Sequence, residues 1–256
     1  MPSLADMVRR RDPDRFFCAL FAPEPLREAL FTLYAFNDEL ARAQDVAREP
    51  GLALIRLQWW REVVEGADRR HEVAGPLRAL LAAGALDAAP LLDMIAMREA
   101  DVEGAPASLA GFVARMREGP GSLAAAAGSL AGAGAAELIR LRDLGAAYGV
   151  AGTLRNVAAL AARQRCVLPV DVLAAAGLVP EMAFADPARV GDAVRPALSA
   201  AGGSLLGRKA RIRRILLPAA LPGVLARRDF ARNMPVAARG IGDRVSVLRA
   251  AVLGVV

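Results

Sequence analysis

Three acidic residues in one stretch of the sequence are the first candidates for chemistry: Asp38, Glu39 and Asp45. Asp38 and Asp45 are seven positions apart, so a helix places them two turns apart on one face. Two carboxylates on one face can hold Mg²⁺, which prefers oxygen ligands and often shares them with a substrate phosphate. Arg42 follows Asp38 by four positions and can neutralise it. A solvated surface ion pair is therefore the alternative to a metal site.

A second candidate region offers arginines instead of carboxylates. No acidic residue occurs between Asp143 and Asp171, so a helix in this region cannot supply a carboxylate to a metal. The same region contains Arg155, Arg163 and Arg165, whose guanidinium groups suit phosphate or carboxylate ligands. Arginines on a helix surface are also commonly solvated, so both interpretations stay open.

A cluster of cations precedes an apolar segment in the last quarter of the chain. Such a junction suits an anionic membrane surface. The chain shows no nucleic-acid motif and no interleaved aromatic residues, so we expect no nucleic-acid partner. A solvated helix face is the alternative. The cations assigned to the membrane surface are Arg208, Lys209, Arg211, Arg213 and Arg214.

Composition excludes several kinds of site. His71 is the only histidine, so a metal site built from several histidines is excluded, and we expect His71 at the surface. Cys18 and Cys166 are far apart, which argues against a disulfide framework or a zinc ribbon and fits a reducing compartment. Hydrophobic residues make up 55% of the 256 residues, enough for a sizeable core.

No segment is predicted to cross a membrane or to direct secretion. The apolar stretch 215–226 is interrupted by Pro218 and Pro222 and is too short to span a bilayer. The N-terminal arginines are not followed by an apolar segment of the form that a signal peptide requires. We therefore expect a cytoplasmic protein that is soluble or attached to the inner face of the membrane.

The elements that must position these residues are predicted to be helices throughout. Apolar residues recur at spacings of three and four, and alternating runs of valine, isoleucine and threonine are nearly absent. Ser108 can cap a helix that Gly119, Pro120 and Gly121 then break. We expect one all-α domain over residues 1–256, with helices near 24–47, 53–67, 76–83, 88–102, 108–118, 137–164 and 235–253.

Two local patterns predict how the helices pack. Residues 122–136 are rich in alanine and glycine, and small residues at helical spacing let two helices approach closely. Trp59 and Trp60 are the only tryptophans, and neighbours on a helix point about 100° apart. At least one of them is therefore expected in the core, with the other lining a cavity or an interface.

Taken together, these segments resemble the squalene/phytoene synthase family. The resemblance is strongest over residues 15–178 and weaker beyond. It rests on Arg15-Phe16-Phe17, Phe21-Ala22-Pro23, Arg27, Tyr34-Ala35-Phe36, Trp60-Arg61, Tyr148-Gly149, Leu154-Arg155-Asn156 and Val167-Leu168-Pro169.

The resemblance implies an isoprenoid-synthase-type helical bundle around a central cavity. Two facing helices in such proteins carry aspartate-rich motifs that hold Mg²⁺ ions, which bind and ionise prenyl diphosphates. It also implies that the matching side chains of this sequence contact a prenyl or other lipid-like ligand. These ligand-binding candidates are Arg27, Tyr34, Phe36, Trp60, Tyr148, Arg155 and Asn156.

The sequence departs from the family at both aspartate motifs. The paired aspartates of the first motif fall on Ala41 and Arg42, which leaves only Asp45. The second motif falls on residues 156–160, where no carboxylate occurs. Ionising a diphosphate requires cations to stabilise the departing charge, and a metal bridge requires ligands from both walls. We therefore expect no catalytic residue, no metal ligand and no cofactor.

Further segments are closer to a divergent branch of that family, which includes a mitochondrial complex I assembly factor considered non-catalytic. They include Ala35-Phe36-Asn37, Gln58-Trp59-Trp60, Arg98-Glu99 and Glu118-Gly119-Pro120-Gly121. The first hypothesis is a non-catalytic, membrane-peripheral protein that assists respiratory complex I assembly, with a subunit of that complex as partner, or binds a lipid-like ligand. The alternative is a prenyltransferase that condenses two prenyl diphosphates with Mg²⁺, using Asp38, Glu39 and Asp45. A third is a metal-free module that holds an anion through arginines.

Overall fold

The helices are described from a computed structural model that covers residues 3–46, 49–232 and 239–256. For residues 45 and 46 only the backbone is described. In chain order the helices are α1 Leu4–Arg11, α2 Pro13–Ala19, α3 Glu24–Val46, α4 Pro50–Val64, α5 Ala74–Ala82, α6 Ala88–Glu103, α7 Leu109–Met116, α8 Ser122–Leu130, α9 Ala135–Arg155, α10 Val157–Ala161, α11 Val170–Ala175, α12 Met182–Ala185, α13 Pro187–Leu206, α14 Leu217–Ala220, α15 Pro222–Phe230 and α16 Ile241–Leu253.

The all-α prediction is confirmed. Within the described ranges no strand forms, and Arg211 and Val255 make a single isolated antiparallel bridge. No helix there is long and apolar enough to cross a membrane. The apolar stretch 215–226 is divided among a short 3₁₀ turn, α14 and α15.

The start of α7 follows the predicted cap, but the predicted end of α9 is wrong. The Ser108 hydroxyl accepts a hydrogen bond from the Gly111 amide at 3.1 Å, which satisfies a free donor of the first turn. The helix predicted to reach residue 164 ends at Arg155, where Asn156 takes the C-cap position and α10 follows. The predicted start of the last helix, at 235, lies outside the described residues, and α16 begins at Ile241.

The predicted helix break at Gly119, Pro120 and Gly121 is also wrong. These residues lie in a π-helical turn, Arg117–Gly121, that joins α7 directly to α8. The turn lies against α9, where a Cβ added at Gly145 would be 2.4 Å from the Pro120 carbonyl oxygen. The wide turn thus accommodates the proline inside a continuous helical path, and the glycines permit contact between backbones.

The alanine- and glycine-rich segment packs as predicted. Every residue of α8 from Ser122 to Gly128 is buried. A Cβ added at Gly128 would be only 2.3 Å from the Leu141 Cδ1 atom of α9. Small side chains therefore let α8 and α9 approach closely.

Two long helices, α3 and α9, each pack against several other helices of the bundle. Helix α3 is buried on all sides from Leu30 to Phe36, and it is buried again at Leu40. Helix α9 contacts α8, α13 and α15 and is buried over most of its second half. The central position of α9 brings its C-terminal half close to residues from both ends of the chain.

Candidate functional site

The site is built around Asp14, a buried acid near the N-terminus. Helix α2 starts with Pro13 in its first turn, and the Asp12 carboxylate caps it by accepting a hydrogen bond from the Arg15 amide at 3.0 Å. The side chains of Asp12 and Arg15 also form an ion pair at 2.6 Å. The cap thus fixes Asp14 and Arg15 at the start of α2, where both turn toward α9.

The Asp14 carboxylate joins α2, α9 and the C-terminal region. Its Oδ2 atom accepts hydrogen bonds from the Tyr148 hydroxyl at 2.8 Å and the Arg239 Nε at 2.9 Å. The Arg155 Nη1 lies 3.4 Å from the same oxygen. Arg155 and Arg239 also bind Asp229 of α15, with the closest approach 2.6 Å from Arg239 Nη1. Two buried aspartates therefore share two arginines.

The network continues to α16 through Asp243. The Asp243 carboxylate is buried, pairs with Arg228 at 2.8 Å and with Arg232, and accepts the Gly240 amide at the start of the helix. Arg232 also contacts Asp229 at 3.3 Å, which connects the two halves. We call the whole set the charged cluster: Asp12, Asp14, Asp229, Asp243, Arg15, Arg155, Arg228, Arg232 and Arg239.

Five arginines against four aspartates give the charged cluster a net charge of +1. Burial alone would raise the pKa of Asp14, but Arg239, Tyr148 and Arg155 outweigh it and lower that pKa. Burial would likewise raise the pKa of Asp243, but hydrogen bonds from Arg228 and Arg232 outweigh it and lower that pKa. Both carboxylates are therefore charged at neutral pH.

Two tyrosines of the predicted ligand-binding set surround Arg15. The guanidinium carbon of Arg15 lies 4.9 Å from the centre of the Tyr148 ring and 6.0 Å from that of Tyr34. These distances are typical of cation–π contacts. Burial and the nearby Asp12 and Asp14 raise the pKa of Tyr148, so its hydroxyl stays protonated and donates to Asp14. Tyr34, Tyr148 and Arg155 are thus brought together.

The other predicted aromatic residues pack elsewhere. Phe36 and Trp60 are buried and meet edge to face, with ring centres 5.4 Å apart, where α3 packs on α4. The prediction that one tryptophan belongs to the core is confirmed by Trp60. The expectation of a surface histidine is wrong, because His71 is half-buried with its ring 5.1 Å from Trp60 and 5.7 Å from Trp59.

Arg27 and Asn156 are engaged with backbone carbonyls. The Arg27 Nη2 donates to the Ala22 carbonyl at 2.9 Å, which ties the start of α3 to the end of α2. The Asn156 side chain is exposed and donates to the Gly152 carbonyl at 2.8 Å. Neither contacts the charged cluster through a hydrogen bond or ion pair among the described groups.

Two of the three acidic residues predicted for Mg²⁺, Asp38 and Glu39, lie beside arginines. Asp38 contacts Arg11 at 3.2 Å, and Glu39 pairs with Arg42 at 2.9 Å. The predicted pairing of Asp38 with Arg42 is therefore wrong. Burial raises the pKa of Asp38, with Arg11 opposing it. The Asp45 side chain lies outside the described residues.

This donor set does not fit the Mg²⁺ ions that the family resemblance implies. Three or more acidic, histidine or cysteine side chains do not come together at any place in the described ranges. The second aspartate motif of the family falls on residues 156–160, directly after the end of α9, where no carboxylate occurs. We therefore derive no chemical step through a metal.

The basic segment is not helical, so the alternative of a solvated helix face is wrong. Residues 210–212 run antiparallel to the C-terminal residues, with Ala210 and Val256 exchanging backbone hydrogen bonds of 2.9 and 3.1 Å. Arg213 binds Glu137 at 2.7 Å and the Gly132 carbonyl. The other cations of this segment are exposed: Arg208, Lys209, Arg211 and Arg214.

A pocket of about 440 Å³ opens elsewhere, between α4 and α5. Its lining includes Val63, Val64, Ala79 and Leu81, with Arg78 as the charged side chain. None of the predicted site residues lines it. The central cavity expected from the family resemblance stays a prediction.

Sequence reasoning missed four aspartates of the charged cluster and most of its arginines. Asp14 and Arg239 are 225 positions apart, so no local spacing connects them. The available signal was compositional: Asp229 and Asp243 are the only acidic residues of α15 and α16, and an acidic residue requires partners when it is buried. Arg15 was noticed for the resemblance, without a role at the site.

Comparisons with known proteins identify the family to which the sequence and the fold are similar. A sequence model described as squalene/phytoene synthase matches residues 8–247. A dehydrosqualene synthase crystallised with a ligand superposes with a TM-score of 0.73 at 12% identity, covering 98% of this chain and 94% of that one. Squalene synthase HpnC from Alicyclobacillus acidocaldarius gives 0.66 at 15% identity, over 98% and 92% of the two chains. At these identities the likeness shows the fold.

A shorter match leads to a different kind of relative. Over 60 residues the chain is 38% identical to the Homo sapiens protein named NADH dehydrogenase (ubiquinone) complex I, assembly factor 6, and 35% identical to its Drosophila melanogaster homolog. These residues make up 23% of this chain and 18% of each relative, so the match spans less than a fifth of their length. Because the family model spans almost the whole sequence and the fold agrees, this chain belongs to the squalene/phytoene synthase family.

Proposed function

We propose that this chain is a non-catalytic member of the family that assists the assembly of a respiratory complex I. The observation that carries the proposal is the pairing of acidic groups with arginines. Asp14 and Asp229 are neutralised by Arg155 and Arg239, and Glu39 is paired with Arg42. Carboxylates held in this way are poor ligands for a divalent cation, because the metal would have to displace a bound guanidinium.

The assembly role is supported by the similarity to the assembly-factor relatives. That similarity covers a small part of each protein, so a complex I subunit as the partner is part of the proposal. The rigid charged cluster fits such a role, because it joins α2, α9, α15 and α16 without needing a substrate. In this proposal the family fold serves as a scaffold at the inner face of the membrane.

The first test measures metal and prenyl diphosphate binding to the purified chain. We expect calorimetry with farnesyl and geranylgeranyl diphosphates to show no heat that depends on Mg²⁺, and product analysis to show no released pyrophosphate. Binding that requires Mg²⁺, with turnover lost in Asp45→Ala, would overturn the proposal in favour of a prenyltransferase. Asp6→Ala is the matched control, because Asp6 forms a solvent-exposed ion pair with Arg9.

The second test measures the role in assembly. Deleting the gene in its host should lower assembled complex I on native gels and lower NADH oxidation by membranes, with squalene and carotenoid levels unchanged. Unchanged complex I would contradict the assembly role. Restoration by the wild-type chain and by Asp45→Ala, but not by a variant that lacks the charged cluster, would support a scaffold.

A second candidate, metal-free binding of an anionic lipid-like ligand, is favoured by one observation. The Arg155 Nε atom is buried without an acceptor among the described groups, and the charged cluster carries one excess positive charge. An anionic head group could satisfy both. Farnesyl diphosphate binding that is equal with and without Mg²⁺ and is lost in Arg155→Ala supports this candidate. Equal binding by wild type and Arg155→Ala would contradict it.

A further inference from the structure

Helix α16 carries an apolar stripe that faces away from the rest of the protein. Ile241 is 83% exposed, Val245 55%, Leu248 45% and Val252 70%. Their spacing of four, three and four residues keeps them within an arc of about 60° on the helix surface. An exposed aliphatic row of this kind is unusual on a helix that belongs to a packed bundle.

The opposite face of the same helix explains the orientation. Asp243, Val247, Ala250 and Ala251 are buried, and Asp243 is anchored by Arg228 and Arg232. Because these anchored positions lie on the far side of the helix, the stripe is held outward. The exposure is therefore fixed by the packing of α16 on the bundle.

Positive charges border the stripe on both sides. Arg244 and Arg249 are exposed and project about 70° to either side of its centre, by helical geometry. The only acidic residue of the helix, Asp243, is 1% exposed and neutralised. Long arginine side chains beside an apolar row can reach polar head groups while the row enters a less polar layer.

The basic segment adds further charge at the end of this helix. Residues 210–212 are hydrogen-bonded to residues 254–256, directly after the last turn of α16. The exposed cations of that segment therefore belong to a strand-like stretch at the C-terminal end of α16: Arg208, Lys209, Arg211 and Arg214.

We propose that the α16 stripe, with its bordering arginines, docks on the surface of an anionic lipid bilayer. The positive charges that border the stripe favour a bilayer over a second copy of the chain as the partner that covers it. A second copy of the chain would bring Arg244 and Arg249 against the same arginines across a helix pair, which is repulsive. A bilayer with anionic lipids offers apolar depth under the stripe and negative head groups on both sides. The stripe lies on the face of α16 opposite Asp243 of the charged cluster. The inference deepens the membrane attachment that the proposed function includes, and it does not depend on whether the chain is catalytic.

The experiment is vesicle flotation with the full chain. Vesicles of phosphatidylcholine are compared with and without phosphatidylglycerol. We expect binding only with the anionic lipid, and its loss in about 0.5 M salt because screening shortens the range of the attraction. Arg244→Gln with Arg249→Gln should lower partitioning by about 25-fold, from about fivefold per cation. Arg56→Gln with Arg70→Gln, both exposed elsewhere, is the matched charge control.

The stripe itself is tested by removing its apolar area. Val245→Ser with Leu248→Ser should lower partitioning at least about tenfold, because each lost buried methylene weakens insertion. Ile139→Ser, which removes an aliphatic side chain 68% exposed on α9, should bind as wild type. Circular dichroism checks that all variants keep their helices.

Three outcomes would overturn the proposal. A wild-type chain that binds neither kind of vesicle would exclude lipid docking. A wild-type dimer that becomes monomeric only in Val245→Ser with Leu248→Ser would instead make the stripe a self-association surface. Equal binding to neutral and anionic vesicles would remove the role of the arginines. Because prenyl diphosphate calorimetry does not involve this face, failure here is distinguishable from failure of the proposed function.

Discussion

Replacing Asp14 by asparagine tests whether the charged cluster is a structural lock. Asparagine has nearly the same shape and its side-chain oxygen can still accept a hydrogen bond, so the change removes mainly the charge. Arg155 and Arg239 would then share Asp229 alone, and the net charge of the cluster would rise from +1 to +2. The guanidinium groups involved are largely buried, so water replaces little of the lost interaction.

The expected loss follows from these contacts. Removing one partner of a buried ion pair costs about 3–5 kcal/mol. Because Asp229 remains bound to both arginines, we expect a loss around or somewhat below the lower end of that range, about 2–4 kcal/mol in the free energy of unfolding. For a chain of this size, that corresponds to a melting temperature lower by roughly 4–16 °C.

Urea denaturation followed by circular dichroism measures this loss, with Asp6→Asn as the control. Asp6 forms an exposed ion pair with Arg9, and such pairs contribute about 0–1 kcal/mol. Asp14→Asn should therefore be clearly less stable than Asp6→Asn. A variant Asp14→Asn within about 0.5 kcal/mol of wild type would refute the reasoning, because it would mean that the cluster contributes no net charge stabilisation.

Three further predictions concern the same region. Tyr148→Phe removes the hydroxyl that donates to Asp14 and should lower the free energy of unfolding by about 1–2 kcal/mol, measured by urea titration; no loss would mean that the hydrogen bond is energetically neutral. Gly145→Ala should lower the free energy of unfolding by about 2–3 kcal/mol, because the added methyl group meets the Pro120 carbonyl. Gly152→Ala, which has open space around the added methyl group, should leave that free energy unchanged or raise it by up to about 1 kcal/mol. Equal thermal stability of the two variants would contradict this packing. The pKa of Asp14 is lower in the folded protein than its value of about 3.9 in the unfolded chain, so the stability that its charge contributes is present above that value and is lost as the pH falls through the folded pKa. The urea midpoint of wild type should therefore decrease below about pH 4, and that of Asp14→Asn should decrease less steeply. Parallel pH curves for the two proteins would show that Asp14 is not the group responsible.

Helix content and much of the packing could be predicted from local sequence. The spacing of apolar residues, the Ser108 cap and the small residues of α8 act over a few neighbouring positions, so their effects can be recognised without the fold. The failures occurred where a local rule met a tertiary contact. The glycine and proline of the π-helical turn were expected to break the helix, but the backbone of α9 holds them in a continuous path.

Ion pairing could not be predicted because each arginine has several acids within reach of its long side chain. The spacing of four positions on one helix predicted an ion pair between Asp38 and Arg42. In the fold, Arg11 lies beside Asp38, and Arg42 pairs with Glu39. Arg213 was assigned to a membrane surface together with its neighbours, yet the fold binds it to Glu137. Such choices depend on which helices meet, and that is not encoded in spacing along one helix.

The helical class, the family resemblance and the absence of acidic residues from the second half of α9 can all be established from the order of the residues. These are properties of residue type and order, and no folding is needed to establish them. Two features can be seen only in the folded protein. Asp14, Tyr148, Asp229 and Arg239 share one buried network, and α16 exposes an apolar row to solvent. Burial and pairing are relations between distant segments, so they exist only once the chain has folded.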